Sequence, residues 1–494
     1  MAQKQNIKSG TAASPVKTGL GVFALASIVV SSMLGGGIYS LPQNMAAGAS
    51  AGAVLLAWLI TGIGIYFIAN TFRILSEAKP DLTAGIYMYS REGFGPYVGF
   101  TIGWSYWLCQ VCGNVGYAVI TMDALNYFFP PYFAGGNNLA SIVGGSLIIW
   151  GFNFLVLKGI KQASFVNTVG TIVKIVPLIL FIIIMAFVFS PAKFDLDFWG
   201  ETIAAKAKLG GLSTQIKSTM LVTLWAFIGI EGAVVMSKRA QTPGDVGKAT
   251  FLGFIGCLAI YVLLSLLPFG YMTQAELAGV ANPSTAGILE KVVGRWGAWL
   301  MNIGLLVSVL TSWLAWTMVT AEIPQAAAEN GTFPKEFTKE NEHGSPSVSL
   351  WVTSIMMQLF ILLVYFSNNA WNTMLSITGV MVLPAYFASC AYLWKICEDG
   401  EYPGNAAIRR SEALLTGVLG SVYALWLIYA AGLKYLLLAD VIVALGIPVF
   451  IWARRQSAPD EKAFGRREAV LAWILGIIAV FAIYAFARGI VTLN

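Results

Sequence analysis

Short polar loops divide this chain into apolar runs, each long enough to cross a bilayer. About 20 apolar residues span the hydrocarbon core. Runs of that order lie at 20–45, 50–73, 97–125, 139–157, 165–189, 215–237, 249–271, 298–322, 348–366, 371–394, 412–432, 435–453 and 469–487, thirteen in all. Charged residues make up only 11% of the 494, against about 25% in soluble domains, so there is too little polar surface to keep such a chain in water. Within hydrocarbon every backbone N–H and C=O must be paired inside the protein. Runs of this length satisfy that as helices, and the sequence predicts an all-α integral membrane protein.

Several function classes fall away. The net charge of +6 is spread over short loops flanking the apolar runs, which suits a membrane-bordering role and not a nucleic-acid surface. Cys109 and Cys112 form a CxxC, but the single histidine, His343, lies in a polar loop. No metal or other cofactor is expected without further ligands at suitable spacing. An enzyme would need a catalytic cluster that the spans do not offer. Lys and Arg favour cytoplasmic loops, and with the amino terminus inside most of the 30 basic residues fall on that side. That orientation makes residues 1–18 a cytoplasmic tail and leaves the carboxyl terminus outside.

Two runs cannot be regular helices. The first contains Gly35-Gly36-Gly37 followed by Pro42, and the sixth contains Gly229 and Gly232 around Glu231. Glycine and proline weaken a helix, and unwound backbone at membrane depth is tolerated only inside protein or beside a cavity. Paired breaks at corresponding positions of two halves point to a transporter's binding site. Breaks in spans one and six fit two five-helix repeats, and five being odd, the second is inverted relative to the first.

The residues around the breaks resemble a known group. Ser32 to Pro42, Pro80 to Tyr89 with Phe94-Gly95, Leu224 to Glu231 and Gln325 to Pro334 are similar to the amino acid–polyamine–organocation superfamily. Gln43-Asn44-Met45-Ala46 and Gly247-Lys248-Ala249-Thr250 bring the likeness closer to its basic amino acid/polyamine antiporters, and among those to arginine–ornithine exchangers. The resemblance runs from about residue 15 to 455. It implies an inverted-repeat fold with a substrate site between helices one, three, six, eight and ten. The expected division is 1–18 tail, 19–190 first repeat, 191–396 second repeat and 397–494 additional helices; the superfamily commonly has twelve helices, and the thirteenth lies outside the transport core.

A free amino acid presents a carboxylate and an ammonium. Backbone N–H groups near Gly36, Gly37 and Ile38, at the start of a half-helix, suit the carboxylate. Carbonyls from Trp225 through Phe227 to Ile228 suit the ammonium. The resemblance implies that Cys109, Gln110, Asn114 and Tyr117 meet the substrate's side-chain end; residues 110, 114 and 117 share one helical face. It also implies that Trp225 and Trp316 flank a guanidinium or ammonium, where cation–π attraction contributes about 0.5–2 kcal/mol. Ordinary helix packing remains an alternative for each of these. Glu231 is a carboxylate at membrane depth, where charge usually marks function, and is read as a gate; Tyr106 and Tyr39 are read as further gate residues. Lys174 lies in the middle of the fifth span, and the resemblance implies that its ammonium bridges helices one and eight where sodium-coupled relatives hold an ion.

The reading is therefore an antiporter of a bacterial inner membrane, exchanging arginine for ornithine or a related dibasic product. Its partners are small basic amino acids and membrane lipid, and a homodimer is admissible. A proton-coupled permease is the alternative; a channel would need a continuous polar lining, and an amino-acid receptor a signalling domain.

Overall fold

A computed structural model describes residues 21–82, 86–232 and 240–491. The expected tail lies outside these residues, as do residues 83–85 of one family-like loop and 233–239 after the second break. Among the described residues ten helices are long and apolar enough to cross a membrane, and an eleventh span is a pair bent by 43°. The bent pair is the first expected span: α1 (Val22–Met33), then a short 3-10 turn (Gly36–Ser40), then α2 (Leu41–Gly48). There follow α3 (Ala51–Ala78), the short α4 (Ile86–Phe94), α5 (Pro96–Phe128), α6 (Leu139–Leu157) and α7 (Ile160–Phe187), the fifth expected span. The sixth begins as α8 (Leu212–Ala226) and stops at its break. Next come α9 (Pro243–Leu266), α10 (Arg295–Glu329), α11 (Ser347–Val364), α12 (Ala370–Glu398) and α13 (Arg410–Ala431).

Gly432, at φ 80°, turns the chain between α13 and α14 (Leu433–Ala444), so the closely spaced eleventh and twelfth expected spans are distinct. The twelfth continues past a turn as α15 (Ile447–Ser457), and α16 (Arg466–Ala487) is the thirteenth. The protein is a multi-pass α-helical membrane protein.

Burial ranks the helices. In α5 and α12, 83% of the apolar stretch is buried inside the protein, against 22% in α16. The first two therefore form the centre and α16 lies at the periphery. Outside the bilayer core, α4 is tied to the turn after α10, where Arg91 donates to Asn330 Oδ1 at 2.7 Å and Thr332 Oγ1 at 3.0 Å. Partial burial lowers the Arg91 guanidinium pKa from its ordinary value.

Candidate substrate site

The first break frees backbone carbonyls that a continuous helix would have used. Side chains of three other helices reach them. Lys174 of α7 donates to Ser31 O at 2.8 Å, Tyr261 of α9 to Met33 O at 2.9 Å, and Ser308 and Trp316 of α10 to Leu34 O and Ser32 O at 3.3 and 3.4 Å. An unwound segment is stable at this depth only when its polar groups are so paired. The Lys174 ammonium also donates to Ser31 Oγ at 2.9 Å and Ser312 Oγ at 3.1 Å, spanning α1 and α10.

The second break follows α8. Gly229 takes φ 108°, a left-handed value open to glycine and costly for other residues. A Cβ there would also stand 2.7 Å from that of Ser32, so the two breaks meet backbone against backbone. Glu231 is fully buried just beyond it. Tyr106 of α5 donates to its Oε1 at 2.8 Å, Tyr386 of α12 to its Oε2 at 2.7 Å, and the Gly229 N–H to Oε2 at 3.1 Å. One carboxylate thus joins three elements. A buried carboxylate is strongly destabilising without such donors, and each added hydroxyl fixes the spacing of the helix that carries it. Tyr386 was not evident from sequence, because a tyrosine in an apolar run gives no sign of its partner.

Between the breaks lies a small cavity of about 20 Å³, lined by Ser32, Met33, Gln110, Gly113, Asn114, Tyr117, Trp225, Ile228, Trp316 and Thr378. A cavity of about 10–15 Å³ on this measure admits one water, so a dibasic amino acid enters only as the walls separate. Six residues singled out from sequence share this lining: Gln110, Asn114, Tyr117, Trp225, Ile228 and Trp316. Asn114 Nδ2 donates to Gln110 O and to Thr320 Oγ1, while Asn114 Oδ1, Thr378 Oγ1 and Gln110 Nε2 are buried with no hydrogen-bond partner among the described residues. Unmatched polar atoms of this kind are costly in a protein interior and mark where a polar ligand would bond.

The other sequence candidates lie elsewhere. A Cβ on Gly36 would meet Val309, and one on Gly37 would stand 1.7 Å from the Trp225 ring. Packing, not open space, occupies their faces. Ile38 is buried in the 3-10 turn. Cys109 donates to Thr378 O at 3.2 Å and is not part of the cavity lining. Phe227 packs among Trp58, Phe254 and Tyr261. Conversely Ser32, Met33, Gly113 and Thr378 line the cavity without having been singled out. Ser32 and Met33 end a regular apolar helix, and the Ser32 hydroxyl donates to Ile28 O, an ordinary helical habit that gives no sequence signal.

Comparison with known proteins agrees with this geometry. A family model described as amino acid permease matches residues 20–448. Proteins called arginine/agmatine antiporter from Chlamydia abortus and Chlamydia felis are each 63% identical, over 95% and 96% of this chain and 96% and 98% of their own. One of the same description from Chlamydia trachomatis serovar L2 is 60% identical over 95% of this chain and 96% of its own. With paired helix breaks around a central cavity and a match over most of its length, the chain belongs to the amino acid permease family of membrane transporters.

Proposed function

We propose that this protein is an antiporter that takes up arginine and releases agmatine, with the amino terminus in the cytoplasm of a bacterial cell. The observation that carries the reading is the central cavity, whose lining brings together Trp225, Trp316 and the unmatched polar atoms of Asn114 and Thr378. Aromatic faces attract a guanidinium, and the two polar atoms offer it or the neighbouring amine a hydrogen bond. The relatives' names supply the second solute: agmatine, in place of the ornithine that the sequence resemblance implies. Both share a long cationic side chain with arginine, so the same aromatic walls suit either. In this scheme Glu231 with Tyr106 and Tyr386 holds one side of the site closed, and Lys174 supplies the positive charge that couples α1 to α10.

The two candidate products differ in charge. Ornithine, like arginine, carries one net positive charge, whereas agmatine carries two. Arginine–agmatine exchange therefore moves charge, and arginine–ornithine exchange does not. Proteoliposomes preloaded with agmatine, with ornithine or with buffer, and offered labelled arginine under imposed potentials, test both points. Rapid uptake is expected into agmatine-loaded vesicles, accelerated by an inside-positive potential, with little uptake into empty ones. Equal uptake into empty vesicles would overturn exchange. Potential-independent uptake that prefers internal ornithine would restore the other product, and stimulation by a proton gradient in empty vesicles would favour a proton-coupled permease.

A further inference from the structure

A second cavity of about 550 Å³ lies on the membrane side where α2 ends and α8 and α12 begin. By the proposed orientation this is the outer side. Its walls carry Gln43 and Asn44 from α2, Lys217 and Ser218 from α8, and Asn372 and Ser376 from α12. Its volume lies within the range that holds small ligands, about 300–1,000 Å³. Leu221 and Leu375 also line it. One helical turn further along the same two helices, Trp225 and Thr378 line the central cavity, and the Trp371 ring, from the first turn of α12, meets Trp225 edge to face at 5.4 Å. The two spaces share the α8 and α12 walls.

The chemistry of the larger space is one-sided. Lys217 is its one charged lining residue, and no carboxylate lines it among the described residues. The ammonium sits 4.1 Å from the centre of the Tyr429 ring and makes no ion pair among the described residues. Amides and hydroxyls supply the rest of the polar lining. A cation among neutral hydrogen-bonding groups attracts an anion and repels a second cation.

We propose that this cavity is a waiting site for the carboxylate end of an incoming amino acid, with Lys217 as its counter-charge, and that it turns away the decarboxylated dication at the same mouth. The proposal rests on the exchange put forward above and deepens it. Arginine brings a carboxylate to Lys217; agmatine brings none and carries two positive charges. The arrangement favours arginine loading from this side and discourages released agmatine from returning.

The test is the apparent KM of arginine and of agmatine presented to the Lys217 side in proteoliposomes. Removing a partly buried charge partner is expected to shift the arginine-to-agmatine KM ratio by about fivefold toward agmatine in Lys217→Gln, and further in Lys217→Glu, with maximal exchange rate retained. Lys217→Cys gives control of side and sign. All five native cysteines are buried, so a membrane-impermeant thiol reagent should reach only the new one. A cationic reagent should restore the wild-type ratio and an anionic one should not. An unchanged ratio with active exchange would overturn the waiting site, and so would an equal change in both KM values. Argininamide, which keeps the guanidinium and lacks the carboxylate, replaces agmatine in the same comparison. If agmatine is not transported, the exchange partner fails while the waiting site is still tested.

Discussion

The face of Gly37 toward α8 is filled by an indole. A Cβ placed there would lie 1.7 Å from Trp225 Cζ3, far inside any real contact, while one on Gly151 in α6 would meet nothing within 4 Å. Gly37→Ala must therefore push Trp225 away or shift the first break, and overpacking of this kind costs about 1–3 kcal/mol. Arginine exchange is expected to fall at least tenfold in Gly37→Ala and to stay at wild-type level in Gly151→Ala, with both proteins reaching the membrane. Wild-type exchange in Gly37→Ala would show that the Trp225 contact is not needed. Sequence marks Gly37 as special but assigns the reason to bare N–H groups; close approach of a ring is the reason the structure gives. That distinction was beyond reach from composition, because both roles demand the same absent side chain.

At the scale of helices, the first break is held by donors that come from three separate elements. Lys174 is the charged one among them, bonding Ser31 of α1 and Ser312 of α10 together. Lys174→Ala leaves the other donors in place, so the break should persist and the central cavity with it. The expected result is that the variant binds arginine within a fewfold of the wild type but loses most exchange, because α1 and α10 no longer move as a unit. Exchange at the wild-type rate would remove the lysine from the cycle, and a sodium requirement in the unaltered protein would contradict its role as a fixed cation. The spans, both breaks and the shared face of Gln110, Asn114 and Tyr117 were legible in the sequence because hydropathy, glycine and helical spacing are local signals. Thr378 and Tyr386 were not, since what distinguishes them is the approach of α12 to α5 and to the second break. Lys217 was hidden for a different reason: a lysine near a span end reads as an ordinary interfacial residue.

For the molecule as a whole, peripheral and central helices meet at the start of α5. Glu468 of α16 accepts from the Tyr97 N–H at 2.9 Å and from Gly465 at 2.8 Å, closing the first turns of two helices with one carboxylate. Negative charge is favourable at a helix amino terminus, and α5 carries Tyr106, Gln110, Asn114 and Tyr117 into the site. Glu468→Ala is expected to lower stability by about 1 kcal/mol, the usual effect of a lost cap, seen as a lower Tm in detergent, with Glu468→Gln in between and arginine KM little changed. An unaltered Tm in Glu468→Ala would detach the thirteenth span from the stability of the core. The narrowness of the central cavity has a kinetic consequence beyond binding. With room for about one water, the carrier without its solute has nothing to hold apart the walls at Trp225 and Trp316, and the rearrangement that carries the site across the membrane then lacks the wedge that lowers its barrier. Under the proposed exchange, empty return strokes would then be rare and leakage suppressed, and packing would contribute to the counting of one solute in for one solute out.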